Sequence, residues 1–173
     1  YFMRHGKATG KEDEATLTDE AKKTMKESEF IENVLRINPE IIYTSPLPRA
    51  KETAKIVANI IEEYRNKKIE IKEHAGLGEG NENSTIQFHT EILEQEKGKN
   101  ILIIGHENNF APLRKHLFNA EKSLHPLEAI KLPNSPITNE LDKRILAELH
   151  NLGIQFEQEM NKYFLDTSTK LVL

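Results

Sequence analysis

Ile101-Leu102-Ile103-Ile104-Gly105-His106 is the stretch that decides the fold. Four consecutive branched apolar residues, bounded by polar sequence, read as a short strand buried within a parallel sheet. The strand ends in a glycine and a titratable side chain. In open α/β sheets the carboxyl ends of the strands are where ligands bind.

The same design recurs upstream. Tyr1-Phe2-Met3 runs into Arg4-His5-Gly6, and Ile41-Ile42-Tyr43 runs into Thr44-Ser45-Pro46. Ile69-Glu70-Ile71 alternates like a strand and precedes a glycine-rich loop from Gly76 to Gly80. Between these runs lie helical patterns. After a polar loop from Lys7 to Thr16, Thr18 is placed to cap one helix whose apolar face is Ala21, Met25, Ile31, Val34 and Leu35, stopped by Asn38-Pro39. Pro48 suits the first turn of a second helix carrying Ala50, Ala54, Val57, Ile61 and Tyr64. A third helix is predicted from Ser84 to Lys97, with Gly98 as its stop, and a fourth from Phe110 to Phe118. Glu128 to Leu132 reads as an edge strand. Leu141, Ile145, Leu149, Leu152, Phe156 and Met160 mark one or two further helices broken at Gly153.

Strands alternating with helices predict an α/β fold, a three-layer sandwich with a mostly parallel central sheet flanked by helices. The expected organisation is a catalytic core over residues 1–132 and a C-terminal helical extension over 133–173. The apolar stripe of that extension packs on the core or on a partner subunit of a homodimer.

Composition narrows the function. Hydrophobic residues make up 37% and charged residues 30% of 173, which fits a globular chain, and no apolar run is long enough to span a bilayer. The net charge of -4 gives no general attraction to nucleic acid or anionic membrane. With no cysteine, disulfides, thiolate metal sites and a cysteine nucleophile are excluded. His74, His89, His116, His125 and His150 show no metal-ligand spacing. The acidic runs at Lys11 to Glu14 and Glu94 to Glu96 read as solvated faces. The sequence opens at Tyr1, already inside a strand-like run, so a preceding segment is expected, a removed leader among the options. The expected compartment is the cytoplasm.

Arginine is scarce, six residues against eighteen lysines, and a planar bidentate fork is worth most where phosphate oxygens are bound. Arg4 and His5 follow the first strand, Arg49 follows the second, Glu79 comes after the third, and His106 ends the fourth. A fold that gathers those strand ends gathers two histidines, two arginines and a carboxylate in one cleft. That set suits phosphoryl transfer: a neutral imidazole attacks, two guanidiniums and a protonated His106 hold the oxygens, and a carboxylic acid protonates the leaving alkoxide. Glu73, Glu82 and Glu107 compete with Glu79 for the last role.

Arg4-His5-Gly6, Thr44-Ser45-Pro46 with Arg49-Ala50 and Thr53-Ala54, and Gly105-His106 together resemble the signatures of the histidine phosphatase superfamily, the phosphoglycerate-mutase-like fold. The likeness covers roughly residues 1–132. It implies that His5 is the phosphorylated nucleophile, that Arg4 and Arg49 are phosphate ligands, and that His106 is the second histidine of the pocket. It implies no metal and no organic cofactor. Ala21 stands where the family usually has Gly. Leu77-Gly78-Glu79 matches the family's Leu-x-Glu acid motif only loosely. The short interval between Glu79 and His106 is similar to that of the small bacterial phosphohistidine phosphatases, so the expected substrate is a phosphorylated small molecule or a phosphoprotein. The alternatives are a phosphoglycerate-type mutase and a catalytically inactive interaction module of the same fold.

Overall fold

A computed structural model describes residues 1–78, 82–118 and 124–132 of the chain. Five strands and five α-helices occupy them, with a short 3-10 turn at Ala75–Leu77: β1 (Phe2–Arg4), α1 (Asp19–Thr24), α2 (Ser28–Ile37), β2 (Ile41–Thr44), α3 (Pro48–Arg65), β3 (Glu70–Glu73), α4 (Glu82–Gln95), β4 (Ile101–Gly105), α5 (Glu107–Phe118) and β5 (Ala129–Ile130). The strands form one sheet in the order β3-β2-β4-β1-β5. The first four are parallel, and β5 joins the edge antiparallel to β1. The expected three-layer α/β sandwich is what the chain forms.

Alternation along each strand divides the core in two. Phe2, Ile41, Tyr43, Ile101 and Ile103 face one way and pack with Phe88 and Ile92 of α4 and Phe110 and Leu113 of α5. Met3, Ile42, Leu102 and Ile104 face the other way, onto α1, α2 and α3 through Ala21, Val34, Ala50, Val57 and Ile61. β4 is buried at all five positions because helices cover both faces.

Four expectations need correction. The single helix after Thr18 is two, with a turn at Met25-Lys26-Glu27 whose Lys26 and Glu27 amides bond three residues back rather than four. Its buried residues, Ala21, Met25, Phe30, Val34 and Ile37, include a five-residue step that one continuous helix cannot keep on one face. Ile31 and Leu35 are only partly buried as a result. Tyr64, placed in the α3 stripe, is exposed, and Ile60 takes the buried position. Glu96, placed on a solvated face, is buried. Its carboxylate accepts hydrogen bonds from Tyr43 Oη (2.9 Å), Lys72 Nζ (2.9 Å) and Lys99 Nζ (2.7 Å), tying the end of α4 to β2 and β3.

The helix expected from Phe110 starts at Glu107 instead. The amides of Asn109 and Phe110 both bond to the His106 carbonyl, and the Asn109 side chain accepts the His106 amide at 2.9 Å. The first turn is therefore wrapped tightly onto the strand end. A Cβ at Gly105 would meet Asn109 Oδ1 at 2.9 Å and the Phe2 ring at 3.1 Å, which is why glycine precedes this histidine. Glu79 and the extension at 133–173 lie outside the described residues. Among the described residues, no helix is long and apolar enough to cross a membrane.

Candidate active site

All four parallel strands point their carboxyl ends to one edge of the sheet, and the backbone pairing continues one residue past them. The His5 amide bonds to Gly105 O, the Ser45 amide to Ile104 O and the His74 amide to Thr44 O, each at 3.0 Å. Because β1 and β4 are neighbours, His5 and His106 stand side by side. Their rings meet edge to face with centroids 4.8 Å apart, which is the spacing of adjacent strands. Because β2 is the other neighbour of β4, Ser45 reaches His106, with Oγ 2.8 Å from Nε2.

Each imidazole is held at one nitrogen. His5 Nδ1 lies 2.6 Å from the Gly6 carbonyl, and a carbonyl can only accept, so Nδ1 carries the proton and Nε2 the lone pair. The Gly6 amide is anchored in turn by Thr53 Oγ1, whose hydroxyl donates to the Arg49 carbonyl at 2.8 Å. This ties the His5 turn to the first turn of α3. Ser45 Oγ also accepts the Leu47 amide at 3.2 Å.

The arginines converge on the same place. Arg49 is buried and donates from Nη1 to the Glu12 carbonyl of the 8–17 loop. Arg4 donates from Nη1 to the Leu124 carbonyl at 2.6 Å. Both guanidinium charges are felt at both histidines. Burial above all, then the charges of Arg49 and Arg4, push His5 down to about 4 against the opposing pull of its Gly6 bond. Burial, His5, Arg49 and Arg4 push His106 down to about 3. In the unliganded site these influences all favour the neutral form of His106.

Among the described residues, two buried side-chain nitrogens have no hydrogen-bond partner, Arg4 Nε and His106 Nδ1. Buried polar groups are nearly always paired, so two such atoms at one strand edge mark a place for a ligand with acceptor atoms. The structure thus brings His5, His106, Arg4 and Arg49 together. It adds Ser45, which the sequence motif contained but to which no role had been given, and Asn109, whose amide also reaches Gly78 O and Thr85 Oγ1 at 3.2 Å each. A signal for Asn109 existed in its three-residue spacing from His106, the reach of a capping side chain.

Two of the competing carboxylates have other partners. Glu73 is exposed and lies 3.6 Å from Lys51. Glu107 is engaged by Arg114 and by the Leu124 amide. Among the described residues, no group of three or more His, Asp or Glu side chains is arranged to hold a metal ion.

The fold is shared with solved phosphatases. The protein histidine phosphatase SixA, solved with tungstate, matches at 21% identity and a TM-score of 0.54, covering 72% of this chain and 80% of its own. Phosphoserine phosphatase from Entamoeba histolytica matches at 16% identity and a TM-score of 0.57, covering 73% and 86%. Mycobacterial glucosyl-3-phosphoglycerate phosphatase matches at 11% identity and a TM-score of 0.57, covering 79% and 98%. No curated protein matches the sequence. A family profile described as histidine phosphatase superfamily, branch 1, matches residues 1–87, which include Arg4, His5, Ser45 and Arg49. The chain belongs to the histidine phosphatase superfamily.

Proposed function

We propose that this protein is a metal-independent phosphatase that hydrolyses phosphate monoesters or protein phosphohistidine through a phosphohistidine intermediate on His5. The observation that carries this reading is the His5 imidazole with Nδ1 committed to Gly6 O and the lone pair left on Nε2, beside His106 and under two arginine charges. The family and its phosphatase neighbours support the phosphatase class.

The chemistry follows from the geometry. His5 Nε2 keeps its lone pair at neutral pH because burial and the arginines disfavour its protonation. It attacks phosphorus, an N–P bond forms and the ester P–O bond breaks. Arg4 and Arg49 face the non-bridging oxygens, where charge-assisted hydrogen bonds are strongest. With the Ser45 hydroxyl as donor to His106 Nε2, the proton of His106 sits on Nδ1 and is donated to a phosphoryl oxygen. The departing alkoxide takes a proton from a carboxylic acid, for which Glu79 is our assignment. Water then attacks the phosphohistidine and gives its proton to the carboxylate left by the first step; the N–P bond breaks, its electron pair returns to Nε2, and inorganic phosphate is released. When the substrate is phosphohistidine the leaving group is an imidazole, and the demand for the acid is weaker.

Brief incubation with 4-nitrophenyl phosphate and a neutral quench is expected to trap phosphate on nitrogen, labile to acid and stable to base. His5→Ala is expected to abolish both the adduct and turnover. Wild-type turnover in that variant would overturn the reading. Phosphate transfer between positions of a phosphoglycerate, in place of release, would indicate a mutase.

A further inference from the structure

Glu107 follows His106 directly, and the structure gives its carboxylate a definite task. Oε1 accepts a hydrogen bond of 2.9 Å from Arg114 Nη1, and Oε2 accepts the Leu124 amide at 3.0 Å. The backbone of Leu124 is then used a second time, because its carbonyl accepts Arg4 Nη1 at 2.6 Å. Three hydrogen bonds thus run from Arg114, on α5 and 5.3 Å over the Phe110 ring, through Glu107 and Leu124 to Arg4.

The segment that carries Leu124 grips Arg4 by its backbone as well. The Leu127 amide bonds to Arg4 O at 3.0 Å, and the Arg4 amide bonds to Glu128 O at 3.1 Å. Leu127 itself has φ 65, a left-handed conformation that leucine rarely adopts. Such a turn keeps its shape only when its surroundings fix it. Glu107 fixes it at one end and the Arg4 backbone at the other.

We propose that Glu107 is a positioning residue for Arg4. By holding Leu124 it holds the carbonyl that sets the plane of the Arg4 guanidinium, and so aims the buried Nε–H, which has no partner among the described residues, at a phosphoryl oxygen. This rests on the reading of Arg4 as a phosphate ligand. Both Glu107 oxygens already accept from protein donors, so the residue serves the reaction through Arg4 and is not the proton donor.

The test is a cycle of Glu107→Gln, Glu107→Ala, Arg4→Ala and the Glu107→Ala/Arg4→Ala double variant. The readouts are the inhibition constant of orthovanadate and kcat/KM on 4-nitrophenyl phosphate and on glycerol phosphate. Glu107→Ala is expected to weaken vanadate and to slow both esters alike by about fivefold or more, and to add almost nothing once Arg4 is gone. Glu107→Gln, which keeps the shape and one acceptor, is expected to fall between wild type and Ala and serves if the Ala variant does not fold. A loss confined to glycerol phosphate would overturn the relay in favour of an acid. Additivity with Arg4→Ala, or a lower Tm with unchanged vanadate affinity, would overturn it in favour of a structural role. If Arg4→Ala itself kept wild-type turnover and vanadate affinity, the phosphate-site reading would fall. If Arg4→Ala is impaired while both Glu107 variants are intact, the relay alone falls.

Discussion

At His5, burial disfavours the imidazolium, and the Gly6 carbonyl holds the remaining ring proton on Nδ1 and so leaves the lone pair on Nε2. His106, one strand away, is pushed down further, partly by His5 itself. An NMR titration of the free enzyme is expected to show the pair taking up protons near pH 4 and near pH 3, well below the ordinary histidine value of 6.5. A midpoint near 6.5 for both would show the rings to be solvated and the arginines remote. At the residue level the clustering of the candidate site is largely legible, because Arg4, His5, Arg49 and His106 each sit in a short local signature beside an apolar run. Ser45 and Glu107 were not legible in the same way. Ser45 owes its role to a partner 61 positions away, and Glu107 owes its role to Leu124, reached across the chain rather than along it.

Secondary elements were read well where one period persisted and poorly where the phase changed. α3 begins at its proline and ends at Arg65, and its cap, Asn66, has φ 51 in the left-handed region. α2 ends the same way at Asn38, with φ 47. Asparagine tolerates this conformation and most residues with a Cβ do not. Asn66→Ala is therefore expected to lower unfolding stability by about 1 kcal/mol in urea, while Asn66→Gly leaves it equal or higher. Equal losses from both substitutions would show that the asparagine side chain, and not its backbone conformation, matters. The break between α1 and α2 escaped the sequence reading because Ala21 and Met25 fit one helical face and Phe30, Val34 and Ile37 fit another. Only packing against β1, β2 and β4 shows where one face ends. α5 was placed late for a related reason. Its first turn is secured by Asn109 folding back on His106, and no apolar period reports such a contact.

For the molecule as a whole, the buried titratable groups set how it responds to acid. In the unfolded chain a histidine takes its proton near 6.5, but His5 and His106 do so in the fold only at about 4 and about 3. Between those values the unfolded chain binds more protons, so stability falls as pH falls from about 6.5 towards 3. Glu96 acts in the same sense lower down. Hydrogen bonds from Lys99, Lys72 and Tyr43 hold it at about 2 against 4.5, so its contribution is present above 4.5 and is lost as pH falls towards 2. The melting temperature is expected to drop steadily from pH 7 to pH 3, and His106→Asn is expected to flatten the upper part of that decline. A wild-type curve that is level from pH 7 to pH 4 would contradict a buried neutral pair. The sequence by itself determined the layer architecture, the positions of the strands and most of the residues at their ends, because apolar period, caps and turn residues act within a few positions of one another. Tertiary structure alone decided the order β3-β2-β4-β1-β5. That order makes β4, the fourth strand in sequence, the neighbour of both β1 and β2. Pairing between strands is non-local, and no local pattern encodes which edges meet. Yet it is this adjacency that sets His106 between His5 and Ser45.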